Sequence, residues 1–282
     1  MTVIPSQLTL EPRPLLFSNN NVVLSWSPKS GCSQALIWFL IHEGLLQESN
    51  QFDPWPHNYR QKRYYDSENY SRRLADLINA GGKGYTLIKI TRDPVKRLVS
   101  CFRHAIQYPA IDSIVEAKVG TQPERDGLSL KDFRDALAGE DLVCWKGFDM
   151  HICAQQQPVW FYSFDRVITL NIDQTNMFPG LNDIEDELGM QKTVFSAYPK
   201  FANLAAGHHA KDIAFDAGAE IETHRFPRTR HTEFPKSALL AAPLMLQAAW
   251  ELHGRDFQSV ASGDSANRLF QTYDTGLTGK VA

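Results

Sequence analysis

Ser25-Trp26-Ser27-Pro28-Lys29-Ser30-Gly31-Cys32-Ser33 joins a short apolar run, Asn21 to Trp26, to an amphipathic stretch from Gln34 to Leu46. The run reads as a buried strand and the stretch as a helix packed on a sheet, with Leu36, Ile37, Phe39, Leu40 and Ile41 on its apolar side. A loop that feeds a strand end into a helix start aims several unpaired backbone N–H groups at one place, where the helix dipole favours an anion. Gly31 lets the backbone approach that anion closely, Ser30 and Ser33 add hydroxyl donors, and Lys29 adds a mobile positive charge. The set suits a terminal phosphate or sulfate. It is not the triphosphate loop G-x-x-x-x-G-K-[ST], because Lys29 precedes the only glycine. Taken alone, the same residues also describe a plain turn carrying a surface lysine.

The pattern recurs downstream. Tyr85 to Thr91 is a second strand, Arg92-Asp93-Pro94 breaks it, and Val95 to Gln107 is an amphipathic helix with Pro94 near its first turn. Phe164 to Leu170 is a third strand candidate, followed by a helix from Asn182 to Leu188 that Gly189 stops. Helices are also expected over Ser67 to Ala80 and, interrupted or bent at Pro243, over Ser237 to His253, whereas Gln51 to Tyr65 reads as an irregular excursion. Strands alternating with helices predict an α/β fold whose central parallel sheet is flanked by helices in three layers. Ligands in such folds sit at the carboxyl ends of the strands, where both loops fall. In the second loop Arg92 leaves the strand end and Ser100 lies on the next helix, a guanidinium fork plus hydroxyl able to receive a second, separate phosphate. Arg97 either joins them or pairs with Asp93.

Composition bounds what the loops can serve. The chain has 282 residues, 43% of them hydrophobic, and no linker or repeat divides it, so a single domain over residues 1–260 with a polar tail over 261–282 is expected. A net charge of −3 gives no footprint for nucleic acid, so any polyanion must meet a local cluster such as Arg60 to Arg63, Arg92 to Arg103 or Arg225 to Arg230. There is no signal-like N-terminus and no apolar run of the roughly 20 residues that span a bilayer. Four cysteines, Cys32, Cys101, Cys144 and Cys153, are too few for a disulfide framework. The expectation is a cytoplasmic protein with reduced thiols and no transmembrane segment.

Pro28-Lys29-Ser30-Gly31-Cys32-Ser33 and Arg92-Asp93-Pro94…Arg97…Ser100…Phe102 together resemble the 5′-phosphosulfate loop and the 3′-phosphate motif of sulfotransferases that use 3′-phosphoadenosine 5′-phosphosulfate (PAPS). Cys32 is similar to the carbohydrate branch of that family. Asp149-Met-His151-Ile-Cys-Ala-Gln155, Phe164 to Leu170 and Trp250 to Phe257 resemble further segments of it, with Asn171 near an expected Glu, so that the likeness spans about residues 20 to 260. The resemblance implies a P-loop-like sulfotransferase fold and PAPS as donor, with no metal required. Pro28, Lys29, Ser30, Gly31, Cys32, Ser33, Arg92, Arg97 and Ser100 would hold the donor. The partner would be a small-molecule, glycan or lipid acceptor, met at the variable segments Gln51 to Tyr65, Tyr108 to Asp126 and Phe195 to Phe226; peripheral membrane contact is compatible with this, nucleic acid is not.

Sulfuryl transfer needs positioning, neutralisation of charge on the leaving phosphate and a base for the acceptor proton. Lys29 is assigned the charge and His57, in Trp55-Pro56-His57-Asn58-Tyr59, the base, with Glu43, Glu48 and His151 as alternatives. His104 reads as a packing or surface residue. His208, His209, His224 and His231 invite a metal, but no Cys or His spacing fits a zinc site; Thr223 to Thr232 reads as a basic loop, with Arg228 and Arg230 as candidate contacts to the 3′-phosphate. Two other functions stay open: a nucleotide kinase or other phosphotransferase, and a protein that binds the nucleotide without chemistry.

Overall fold

The computed structural model describes residues 8, 10–201, 210–216, 220–229 and 232–261. His208, His209, Arg230, His231 and the tail beyond residue 261 lie outside them. The central sheet has the order β1 (Leu15–Leu16), β2 (Val22–Ser25), β3 (Thr86–Thr91), β4 (Arg166–Asn171). β2, β3 and β4 run parallel, with Ser25 opposite Lys89 and Thr91 opposite Asn171, while β1 pairs antiparallel at the edge. A separate parallel pair joins β5 (Lys211–Asp212) to β6 (Glu233–Phe234).

Helices flank the sheet. α1 (Cys32–His42), α2 (Leu46–Phe52) and α3 (Pro56–Tyr59) follow β2, and α4 (Glu68–Ala80) leads into β3. Then come α5 (Pro94–Gln107), α6 (Asp112–Val119), α7 (Pro123–Asp126) and α8 (Leu130–Leu137), with α9 (Met177–Leu188) after β4 and α10 (Lys236–Ala241) and α11 (Pro243–Ala261) closing the described chain. Apolar packing falls into two clusters. One gathers Leu24, Trp38, Leu77, Ile88 and Leu181 from the sheet, α1, α4 and α9; the other gathers Phe102, Phe133 and Met245 from α5, α8 and α11.

The local causes are visible in the caps. Ser67 accepts from the Tyr70 N–H at the start of α4, and Gly81, at φ 60°, ends it in the left-handed conformation that glycine adopts at least cost. Asp93 accepts from the Lys96 N–H, so β3 turns into α5 with Pro94 at the first helical position, where no N–H is needed.

Several boundaries differ from the sequence reading. The first helix begins at Cys32 and stops at His42 rather than running to Leu46. The expected irregular excursion is mostly helical: α3 opens on Pro56 and continues into a π-helical turn at Arg60–Tyr64. Aromatic packing explains it, since Tyr64, Tyr65 and Tyr70 lie with ring centroids 4.9 to 5.5 Å apart. The Tyr64 hydroxyl also serves the edge strand β1, which the sequence reading missed, by accepting from Leu16 N at 2.9 Å and donating to Leu16 O at 3.1 Å. α9 starts at Met177, earlier than Asn182, with Pro179 in its first turn. Of the two outcomes expected at Pro243, interruption or a bend, the structure has the interruption: two helices meet there, because Pro243 pushes Ala242 out of helical geometry to ψ 126°.

Candidate active site

The loop after β2 is folded tightly. Lys29 has φ 67°, the one left-handed non-glycine among the described residues, and Gly31 follows at φ 76°. A side chain at a left-handed position is held there against a cost of roughly 1–2 kcal/mol. Gly31 caps α1 with no side-chain hydrogen bond, so the first N–H groups of that helix are left open to an anion. Pro28, Ser27 and Ser30 are buried; Lys29, Cys32 and Ser33 are partly exposed.

The loop after β3 lies directly against it. Arg92 Nη1 donates to Lys29 O at 3.0 Å and to Ser100 Oγ at 2.9 Å, so the expected pair Arg92–Ser100 is together and touches the first loop. Asp173, in the turn after β4, stands 3.6 Å from Arg92 Nε and 3.2 Å from Lys96 Nζ, and accepts from Asp93 N. Burial lowers the pKa of Arg92, and Asp173 opposes that shift. Arg97 is placed differently from a phosphate ligand. It is fully buried beneath the loop, where Nε donates to Pro28 O at 3.1 Å and Nη1 lies 3.8 Å from Asp256. Its carboxylate neighbour is thus Asp256, whereas Asp93 is occupied as the cap of α5.

One side chain without an assigned role ties the two loops together. Gln155 Oε1 accepts from Ser30 Oγ at 2.9 Å and from Arg92 N at 2.8 Å, its Nε2 donates to Arg92 O, and its own N–H donates to Asp256. Gln155 and Asp256 are both fully buried. Burial raises Asp256 to about 6 against the opposing pull of Arg97. Two segments far apart in sequence, around Asp149–Gln155 and Trp250–Phe257, therefore meet under the loops and brace them.

His57 reaches the loop mouth. Its Nε2 is 2.9 Å from Ser33 Oγ and its Nδ1 is 2.9 Å from Arg60 Nη1. Arg60 is itself buried, stacked over Trp26 at 4.3 Å and paired with Glu11. Glu43 is at the opposite end of α1, where it accepts from Ser18 N and Ser18 Oγ. Glu48 is exposed on α2 and acts on Tyr59, whose hydroxyl is pushed up to about 12 by burial and then by Glu48.

On the other side of Lys29 lies an imidazole cluster. Lys29 Nζ is 3.2 Å from His104 Nδ1, and the His104 ring stacks on His151 at 4.1 Å with 23° between planes. Asp149 Oδ1 lies 2.8 Å from His151 Nδ1, accepts from His151 N at 2.7 Å and stands 3.8 Å from His104 Nε2. Of the two readings of His104, packing or surface, the structure has the buried, packed one, and it lies against Lys29. Burial pulls its pKa down to about 4, with Asp149 opposing and Lys29 and His151 reinforcing. Burial would raise Asp149, but hydrogen bonds from His104 and His151 hold it well below the usual carboxylate range. Lys29 is lowered, chiefly by burial. His104, Asp149 and His151 bring ligand-type atoms within 4.8 Å of one another, a clustering that linear His and Cys spacing did not reveal. Asp149 joins the two imidazoles, bonded to His151 Nδ1 and standing near His104 Nε2, and Lys29 faces them with its ammonium.

Other candidates fall away from this place. Arg228 pairs with both Asp112 and Glu124, so its charge is met by carboxylates. A cavity of about 350 Å³, lined by Phe17, His42, Glu43 and Lys192 among others, opens at the opposite end of α1 from the loops. No helix among the described residues is long and apolar enough to cross a membrane. No protein family, curated protein or solved structure matches this chain.

Proposed function

We propose that the protein is a PAPS-dependent sulfotransferase of the three-layer, P-loop-like kind, transferring a sulfuryl group to a hydroxyl of a carbohydrate or glycoconjugate. The observation that carries this reading is the junction of the two loops, in which Arg92 Nη1 bridges Lys29 O and Ser100 Oγ. A nucleotide with anionic groups at its 5′ and 3′ ends needs two such receptors side by side: the open start of α1 with Lys29 for the phosphosulfate, and Arg92 with Ser100 for the 3′-phosphate. Arg97, Gln155 and Asp256 would hold the loops in register from below. Lys29 would neutralise charge gathering on the bridging oxygen as the sulfuryl group leaves.

Calorimetric titration tests the donor half. Adenosine 3′,5′-bisphosphate should bind and ATP should not compete, and Arg92→Ala should weaken the bisphosphate by about 10- to 100-fold, the worth of a charge-assisted bond. Tight ATP binding with no bisphosphate binding would sink the reading in favour of a phosphotransferase. Labelled-sulfate transfer onto a panel of sugars then separates an enzyme from a protein that only binds the nucleotide.

A further inference from the structure

Resting on that reading of the loops as a sulfuryl-donor site, the geometry points to His151, oriented by Asp149, as the general base that takes the proton of the acceptor. Tautomers separate the three histidines near the loops. Asp149 accepts at Oδ1, so His151 carries its proton on Nδ1 and presents a bare lone pair at Nε2, which has no hydrogen-bond partner among the described residues. The side chain is only partly covered, and Nε2 is not among the buried polar atoms left without a partner. A carboxylate that fixes an imidazole with Nε2 free is the arrangement that makes histidine an oriented base.

His57 is arranged in the opposite sense. A guanidinium only donates, so Arg60 occupies the lone pair of His57 Nδ1 and the proton must sit on Nε2, directed at Ser33 Oγ. Such a ring orients the Ser33 hydroxyl towards the loop and has no lone pair to offer an acceptor. His104 is excluded by the same logic: the Lys29 ammonium donates to its Nδ1, leaving the proton on Nε2 towards Asp149.

Position agrees. His151 lies one ring thickness from the imidazole that touches Lys29, and the exposed ring of Tyr108 stands 4.7 Å from His104 on the same cluster. In the transfer, the acceptor oxygen forms its bond to sulfur as the bond from sulfur to the bridging oxygen breaks. That electron pair stays on the 5′-phosphate of the departing bisphosphate, beside Lys29, and the acceptor proton goes to His151 Nε2.

The test uses the full chain and two kinds of measurement. Long-range ¹⁵N–¹H correlation spectra of the histidines need no acceptor; they should show His151 protonated at Nδ1 and His57 at Nε2, with Asp149→Asn abolishing the His151 preference. Release of bisphosphate from PAPS, with a panel of mono- and oligosaccharides or with water as acceptor, should fall about 100-fold or more in His151→Ala. Added imidazole should restore part of it, and calorimetry should find bisphosphate affinity unchanged. His151 protonated at Nε2, or His151→Ala turning over at full rate while His57→Ala does not, would overturn the assignment. So would loss of turnover to a chelator with recovery on adding zinc, which would make the three residues metal ligands. Failure of the unsubstituted protein to bind the bisphosphate would instead remove the donor reading, leaving the tautomers to be judged by the spectra alone.

Discussion

The two ends of α1 treat buried polarity in opposite ways. At its C-terminal end, the fully buried Glu185 accepts from Trp38 Nε1 at 2.6 Å, Thr193 Oγ1 at 2.6 Å and Thr193 N at 2.9 Å, and meets His42 Nε2 at 2.8 Å. Burial would raise that carboxyl, yet these donors hold it below its ordinary range. At the N-terminal end the imbalance is reversed. Arg92 Nε and both Arg97 Nη atoms are buried with no hydrogen-bond acceptor among the described residues, although each guanidinium has a carboxylate within 4 Å, and Lys29 faces an imidazole. At the Glu185 end buried polarity completes its own bonds; at the loop end donors stay open and the backbone is strained, at Arg92 and Lys29 as the proposed donor site requires and at Arg97 in a brace beneath them.

The sharpest way to break this comparison is to exchange the effects of mutation at the two ends. Lys29→Ala should lower turnover by about 10²–10³-fold or more, as expected when a donor to developing negative charge is removed. The melting temperature should change little, because the side chain makes one hydrogen bond to protein. Glu185→Ala should do the reverse. It strands three buried donors at a cost of about 1–3 kcal/mol each before relaxation, so the melting temperature should drop by many degrees while bisphosphate affinity in the surviving fold stays the same. A Glu185→Ala protein that keeps its stability, or a Lys29→Ala protein that unfolds, would dissolve the distinction.

The two ends were also unequally legible in sequence. Lys29, Gly31, Arg92 and Ser100 stood out because local chemistry suffices: an anion loop is a run of neighbouring residues. The three parallel strands β2, β3 and β4 and the loops after β2 and β3 followed from apolar runs and from Pro94, whereas the edge strand β1 and the β5–β6 pair gave no signal. Gln155 and Asp256 carry no local signature, since their work is to bond residues more than sixty positions away. The His104–Asp149–His151 cluster was invisible to spacing because its first two members stand forty-five positions apart in the chain. Glu185 gave no signal either, being one acidic residue among several in Asn182 to Leu188. Lys89 was hidden as well: a strand lysine, buried over the Trp160 ring at 4.6 Å and lowered to about 8 by that burial.

Acid titration separates the two ends more gently. His104 has a folded pKa of about 4 against an ordinary 6.5, so between these values the unfolded chain binds more protons. Its contribution is intact above 6.5 and is lost as pH falls towards 4, by at most ~3 kcal/mol at 1.36 kcal/mol per unit. Glu185, lowered from an ordinary 4.5, loses its contribution only below that value. The melting temperature should therefore decline in two stages on acidification, and His104→Gln should reduce the first stage without abolishing it, since the fully buried His253, lowered to about 3 chiefly by burial, loses its contribution over the same range. A decline confined to pH below 4.5 would mean that the loop end does not exclude the proton.

The smallest effect isolates backbone from charge. Lys29→Gly and Lys29→Ala both remove the amine, so both should be inactive to the same degree. They differ in the left-handed conformation at φ 67°, where a Cβ costs roughly 1–2 kcal/mol and glycine escapes that cost but loses more chain entropy on folding. The balance favours the glycine variant by about 1 kcal/mol, measurable as a higher denaturation midpoint. If alanine were equally stable, the loop would relax once the lysine is gone. The strain would then belong to holding the side chain in place and not to the path of the backbone into α1.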